Sequence, residues 1–445
     1  MLWKRLLPAA LVFLLVRPAV SPAADVVVDY DPVDAGPNIA LAIAAAGPGG
    51  TVTIPNVGLP WLVRDGRKFN SAIVLDQPGQ TLFFEEDVLL QASPEPDAFT
   101  ELTDRVISVA ADGVSIIGLG RGATIAGNRG LYDIRDPYDN HGRQAIRIGG
   151  YANVTVRNLA INESGGDGIQ VGDYYSGVQP SGLRIVDCII DGSTRNGISL
   201  TSGTNVRIRR CILANAGGVW PQAGLDIEVD KGRPDSVLKD VLITDCFAYN
   251  NAGAGLMVGL FNYFDDNGIE AQDVDVRISR YESIDSGMWG IKMSAVRGEE
   301  IAGSPRGRIV MRDVVVRGSD AHGVQLSGFV AGRTPTVNFV GLTVADSARG
   351  RMQDTPQYPI YFKGPRRGYK NGGYFFRPAE GRLCSVEDDR DRPIVYAEPG
   401  LRNANESNGK GFRDIVGQIR VTSPSDTFAE LGDPAYHENV TLRRR

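Results

Sequence analysis

The stretch VTVRNLAINESGGDGIQVGD (154–173) sets out one unit of a repeat: a short apolar strand, a polar step, a glycine-centred turn and a second short strand. Its first strand recurs as LRIVDCII (183–190), VRIRRCIL (206–213), VLITDCFA (241–248), VRISRYES (276–283), IVMRDVVV (309–316) and VNFVGLTV (337–344). Its second strand, GIQVGD (168–173), recurs as GISLTS (197–202), GLDIEVD (224–230), GLMVGL (255–260), GIKMSA (290–295), GVQLSG (323–328) and PIYFKG (359–364). Self-similarity at this period marks a stacked repeat, because one unit cannot bury its apolar face alone. Strands of four to six residues, Gly and Asn turns and almost no helical period make the repeat an all-β solenoid.

Working outward, the rung length is read from one apolar column. Leu159, Cys188, Cys211, Cys246, Tyr281, Val314 and Leu342 hold the same place in successive copies, and the shortest step between them is Cys188 to Cys211. A bare rung thus needs about 22 residues, and the excess sits in loops, which in solenoids commonly line the binding face. Three of the four cysteines fall in this column, where a thiol acts as small core filler. A disulfide between neighbouring rungs is not implied, and no His stands nearby at metal-ligand spacing.

Before the regular rungs, DAGPNIALAIAAA (34–46) reads as a short helix. Pro37 suits a first turn, Ile39, Ala42, Ile43 and Ala46 form one stripe, and Gly47-Pro48 stops it. Such a helix caps the exposed end of a solenoid core. Strand-like pieces at 72–75, 81–84, 88–90, 106–109, 114–117 and 124–125 read as irregular early rungs, and 131–141 as a surface loop. After Lys363 the phrase is lost, and residues 365–445, with strand-like pieces at 417–421 and 440–442, read as an irregular C-terminal cap with covering loops. The organisation expected is one domain over 25–445, with early rungs to 150 and regular rungs over 151–364.

Residues 1–24 read as a signal peptide: Lys4 and Arg5, an apolar run Leu6–Val16, then Ser21-Pro22-Ala23-Ala24. The apolar run is far short of the roughly 20 residues that span a bilayer. The expectation is a secreted or periplasmic protein with no membrane partner. With 54 Gly, 25 Pro and a net charge of −6, the composition is globular and turn-rich. That mildly acidic total argues against nucleic acid as a partner.

Strand parity then sorts side chains. In GLDIEVD, Leu225, Ile227 and Val229 point inward, so Asp226, Glu228 and Asp230 point outward. Aligned on the turn residue, the first outward column reads Arg147, Gln170, Ser199, Asp226, Met257, Lys292, Gln325, Tyr361. The second reads Gly149, Gly172, Thr201, Glu228, Gly259, Ser294, Ser327, Lys363, with Gly259 leaving space beside Glu228. One rung thereby places two carboxylates on the outer surface, about 6.5–7 Å apart at Cβ. That suits acid–base cleavage across a glycosidic bond, where crowded like charges keep one carboxyl protonated. Two other readings stay open: a Ca²⁺ site of Asp226, Glu228 and Asp230, and a plain solvated face. Around the pair, Arg195, Lys292, Trp220, Asp167 and Gln170 are candidates for holding substrate. Asp167 would serve equally as a turn cap. Trp220, Tyr174 and Tyr175 lie in inserted loops, where rings stack on sugars or pack on the solenoid. His322 falls about four rungs from Asp226, too far to pair with it.

The helix followed by GPGGTVTIP (47–55) resembles the N-terminal cap of pectate-lyase and rhamnogalacturonase-like proteins. The segment RNGISLTSGTNVRIRRCILANAGGVWPQAGLDIEVD (195–230) is similar to a pattern in exported parallel β-helix proteins, where R-Q-G-I-S precedes P-Q-A-G-I-D-I-E-P. This resemblance implies a right-handed parallel β-helix acting on carbohydrate. It does not imply one reaction, since the fold hosts lyases, hydrolases, epimerases and phage-type adhesins. No Asn-Thr-Asp of the polygalacturonase kind is present. Asp136-Pro137-Tyr138-Asp139 resembles the Asp-Pro-His-Asp of alginate epimerases but lacks the His and falls too early. Roles carry over only to Asp226, Glu228 and Arg195. The leading expectation is a monomeric exported glycoside hydrolase on a polysaccharide or oligosaccharide, with no cofactor. The alternatives are a uronate lyase or C5-epimerase, with Lys231, Lys292 or a carboxylate as base and Ca²⁺ if a lyase, and a non-catalytic glycan-binding or structural solenoid.

Overall fold

Asn158 turns the chain within what reads as one strand. Thr155–Arg157 and Ala160–Asn162 are separate strands, as are Arg184–Val186 and Ile189–Asp191. At the corner Asn158 and Asp187 hold φ of 55° and 58°. Leu238–Tyr249 and Val274–Ile284 run on without a break, yet Asp245 and Arg280 keep the same conformation, at 58° and 49°. Asn and Asp tolerate this left-handed region because their short side chains bond locally. Where Arg takes the corner, its guanidinium grips the Asp one rung before. Arg210 reaches both oxygens of Asp187 at 2.5 and 2.7 Å, and Arg280 both of Asp245 at 2.5 and 2.9 Å. These bonds hold both carboxyls below their ordinary range.

Each rung therefore has three strands, not two. The structure, a computed structural model, describes residues 23–66, 68–95, 97–101, 103–120, 122–131, 142–172, 178–230, 236–263, 273–295, 306–350, 356–363, 371–397, 412–431 and 437–445. Among these, twelve third-position strands stack from Ser71–Leu75 to Ala429–Glu430 in one sheet. The first- and second-position strands form the first and second sheets, which the long strands join to each other, and the third-position strands are the third sheet. Every strand pairing among them is parallel (for example Gln170 opposite Ser199 and Ser199 opposite Asp226). The winding is that of a right-handed parallel β-helix.

In-register stacking makes the core a set of like-on-like columns. Ile169, Ile198, Leu225, Leu256 and Ile291 succeed one another in the third sheet and face Ile185, Ile208 and Ile243 of the first, all fully buried. Cys188, Cys211 and Cys246 are buried free thiols, as expected of core filler. Contact with the Cys188 thiol pushes Cys211 up, contact with Cys211 pushes Cys246 up, and so both stay protonated.

At the N-terminal end the helix Gly36–Ala46 lays Ile39, Ala42, Ile43 and Ala46 on the core, with Pro37 in its first turn. The early pieces are more regular than their sequence suggests. Ser71–Leu75 and Arg105–Val109 pair in the third sheet, and Thr81–Phe84 pairs with Ser115–Gly118 in the first. Past Lys363 the ladders also continue, through Asn371–Arg377, Cys384–Glu387, Val395–Ala397, Phe412–Thr422 and Glu438–Arg444. The C-terminal region is thus further rungs as well as cover. Residues 1–22, most of the loop at 131–141, Tyr174, Tyr175, Lys231 and Asp136 to Asp139 lie outside the described residues.

Candidate functional site

The third sheet carries the site. Its pairings put Arg147, Gln170, Ser199, Asp226, Met257, Lys292, Gln325 and Tyr361 on successive rungs, the order read from sequence. Glu228 lies opposite Gly259, and Ser294, Ser327 and Lys363 follow. Outward does not mean exposed, however. Asp226 is only 1% exposed, against the surface position expected, while the Glu228 side chain keeps 22%. The cover comes from the turn of the preceding rung.

That turn holds Arg195 and Asn196. Arg195 Nη1 donates to both oxygens of Asp167, at 3.2 Å each, and to Ser199 Oγ at 3.3 Å. Asp167 Oδ1 also accepts from the Asn196 backbone N–H at 3.1 Å. So Asp167, itself fully buried, caps the turn and anchors Arg195 at once. Arg195 Nη2 then stands 3.9 Å from Asp226 Oδ2 and 3.9 Å from Glu228 Oε2. Because one nitrogen touches both, the two carboxylate oxygens are separated by at most twice that span.

Asn196 is the residue the strand columns miss. Its Nδ2 donates to Ser199 Oγ at 2.9 Å and to Asp226 Oδ2 at 3.2 Å, while its Oδ1 accepts from the Ala223 N–H at 2.9 Å. It sits just before the turn glycine, a position that reads as simple turn chemistry unless it is stacked into a column of its own. The other oxygen of Asp226, Oδ1, is buried without a hydrogen-bond partner. Burial raises the Asp226 pKa well above the ordinary carboxylate value; Glu228 adds to the rise and Arg195 opposes it. Asp226 is thereby biased to the acid form.

The guanidinium of Arg195 lies within 3.9 Å of both carboxylates, and an amide donor already holds Asp226 Oδ2. Among the described residues no three His, Cys, Asp or Glu side chains converge to hold an ion, Asp230 included.

Two of the remaining candidates come together. Lys292 Nζ lies 3.8 Å from the Trp289 ring and 5.8 Å from that of Trp220, and the two rings are 6.0 Å apart. Trp220 is 40% exposed, so this pair opens to water beside the acidic cluster. Trp289, unremarked in the strand columns, also precedes a turn glycine. Gln170 is buried, one rung beyond Ser199 from the acid pair. Gly259 leaves no room: a Cβ there would meet the Phe261 ring at 3.0 Å and Glu228 Cγ at 3.3 Å. His322 is three rungs from Asp226, not four, and still remote from it.

Residues 105–272 match the family model described as "Right handed beta helix region". No protein of curated function matches the chain by sequence. Solved structures resemble it over nearly its whole length. The A-module of the mannuronan C-5 epimerase AlgE4 of Azotobacter vinelandii is 14% identical, covering 93% of this chain and 98% of its own, with a TM-score of 0.57. An endo-xylogalacturonan hydrolase from Aspergillus tubingensis is 15% identical, covering 91% and 100%, with a TM-score of 0.58. The Dettilon tailspike protein is 13% identical, covering 90% and 69%, with a TM-score of 0.55. What is shared is the fold, the right-handed parallel β-helix that the resemblance of residues 195–230 implies.

Proposed function

We infer that the chain is an exported enzyme that hydrolyses glycosidic bonds, with Asp226 as general acid and Glu228 as general base. One observation carries this reading: a buried carboxyl with a raised pKa stands two residues from a half-buried carboxylate on the same sheet face. The two solved structures named for polysaccharide-directed activities, a mannuronan epimerase and a xylogalacturonan hydrolase, lend support through fold alone. Asp226 gives its proton to the leaving glycosidic oxygen as the bond from the anomeric carbon breaks. Glu228 takes a proton from water whose oxygen bonds to that carbon. Arg195, fixed by Asp167, stands beside Glu228 and holds its place. Among the described residues no helix is long and apolar enough to cross a membrane.

A second reading rests on Arg195. A guanidinium 3.9 Å from two carboxylates would also meet a uronate carboxylate, as lyases and C5-epimerases require before removing the C5 proton. One experiment separates hydrolysis from elimination, while epimerisation alone gives neither signal. The purified protein is incubated with acidic and neutral polysaccharides, with and without chelator, and reducing ends and near-ultraviolet absorbance are both recorded. Hydrolysis yields reducing ends without absorbance, and Asp226→Asn or Glu228→Gln lowers turnover about 10²- to 10⁴-fold. Growth of absorbance, or undiminished turnover in Glu228→Gln, rejects the acid–base pair.

A further inference from the structure

The turn before the acid strand fixes more than the place of Asp226. Asn196 has one orientation. Its side-chain oxygen accepts from the Ala223 backbone N–H at 2.9 Å, and a backbone N–H can only donate. The Asn196 Nδ2 therefore faces the strand, where it donates to Ser199 Oγ at 2.9 Å and to Asp226 Oδ2 at 3.2 Å. Both amide hydrogens and the amide oxygen are engaged, and the side chain is fully buried. Such an amide has no freedom to turn over.

The two oxygens of Asp226 then meet opposite settings. Oδ2 has the Asn196 amide and, at 3.9 Å, the Arg195 guanidinium, and both are donors. Oδ1 is buried and takes no hydrogen bond. The next rung offers none: Met257 stands opposite Asp226 and packs with Ala223 and Ala254 in an apolar cluster. A neutral carboxyl has a carbonyl oxygen, which accepts, and a hydroxyl oxygen, which carries hydrogen. Donors on Oδ2 make it the carbonyl, so the hydrogen belongs on Oδ1. The charged groups around this carboxyl are Glu228 and Asp230 on its own strand segment and Arg195 and Asp167 from the turns of earlier rungs. Burial and the three acids favour the neutral form, and Arg195 opposes it.

We propose that Asn196 is a positioning residue: it orients the Asp226 carboxyl so that the proton sits on Oδ1, and Oδ2 takes up charge when that proton leaves. The step it serves rests on the hydrolase reading. The Oδ1–H bond breaks as the hydrogen bonds to the leaving glycosidic oxygen. That oxygen keeps the electron pair of the bond it loses from the anomeric carbon. The pair of the O–H bond stays on the carboxylate and spreads to Oδ2, where the Asn196 N–H and the Arg195 guanidinium already stand. A hydrogen bond to a charged acceptor is stronger than one to a neutral acceptor. Asn196 therefore holds Asp226 more tightly in the transition state than before it.

Infrared difference spectra read the proton without any turnover. Wild type and Asn196→Ala are each compared with their own Asp226→Asn counterpart, below the pH range where Asp226 ionises. The difference isolates the carbonyl stretch of the protonated carboxyl. With Oδ2 as the carbonyl, loss of the Asn196 hydrogen bond moves the band to higher frequency. With Oδ1 as the carbonyl, the band stays where it was, and the proposal is overturned. Absence of a protonated band at every pH where the chain is folded overturns it too. If Asn196→Ala does not fold, Asn196→Asp takes its place, and there also an unmoved band overturns the proposal.

Kinetics on a glycan that the protein cleaves give the second measurement. Asn196→Asp keeps an acceptor for the Ala223 N–H but sets a second acceptor against Asp226 Oδ2. The proton is drawn off Oδ1 to lie between two carboxyls. The expected kcat falls about 10²-fold with KM within about twofold of wild type, and the alkaline side of the pH profile moves up. A side chain that only closed the turn would leave kcat and the profile unchanged in this variant, which would overturn the proposal. A shifted band with no cleavage of any glycan keeps Asn196 in its role toward the proton and ends the acid–base reading. An unmoved band, with cleavage lost in Asp226→Asn, keeps the acid–base reading and ends this one.

Discussion

Asp226 has one oxygen that accepts from Asn196 and another that is buried with no donor. Its protonated form suits that setting better than its charged form, and this has a consequence for stability. A carboxyl whose pKa is raised on folding stabilises the native state fully below its unfolded pKa of about 3.8. That contribution is lost as pH rises from there through the raised native value. Asp226→Asn removes the charge and keeps the shape, so the variant melts higher than wild type at pH 7 by a few degrees, and the gap closes near pH 4. Scanning calorimetry at both pH values checks this; a gap that widens on acidification contradicts a raised pKa. The pair Asp226 and Glu228 was legible from strand parity in GLDIEVD alone. The burial of Asp226 was not, because its cover comes from Arg195 and Asn196 one rung away. A period of two along one strand carries no information about the turn that overlies it.

At the scale of the strand, the corner residues show what the repeat phrase concealed. In 154–161 the buried positions are Val154 and Val156, then Leu159 and Ile161. Parity changes across Asn158, just as it changes between Ile243 and Cys246 across Asp245. One left-handed residue turns the chain and consumes one step of the alternation, so a single apolar run hides two strands. The signal was present as a switch from even to odd. Asn158→Val, with a β-branched side chain at φ 55°, destabilises by about 1–2 kcal/mol. Asn158→Gly stays within about 0.5 kcal/mol of wild type, since glycine takes that conformation freely. Denaturant midpoints of the two variants decide the matter, and equal losses would mean that the Asn side chain, not the backbone, holds the corner.

A solenoid of parallel rungs has two ends, and this one treats them differently. The first end is closed by the helix Gly36–Ala46, whose Ile39 is fully buried. Ile39→Asp puts a charge against the core end. It lowers stability by about 3–5 kcal/mol and yields aggregates on size exclusion, as an open parallel edge would. A soluble monomer of normal melting temperature would show the helix to be dispensable. Among the described residues the strand Glu438–Arg444 pairs with Phe412–Thr422 and is largely exposed, with Arg443 and Arg444 along it. The cap helix was legible from Pro37, its apolar stripe and Gly47. The late rungs were legible only as scraps at 417–421 and 440–442, because Asn371–Arg377 and Phe412–Thr422 carry glycines and arginines where earlier rungs carry the repeated phrase.

Between Gln170 and Tyr361 the stretches of chain from one outward residue to the next are unequal, shorter from Ser199 to Asp226 than from Gln325 to Tyr361, yet the column stays in line. Pairing is settled strand by strand, so a loop can lengthen or shorten without displacing anything above or below it. Loop length is therefore free to vary at any rung while Asp226 and Glu228 keep their address in the column.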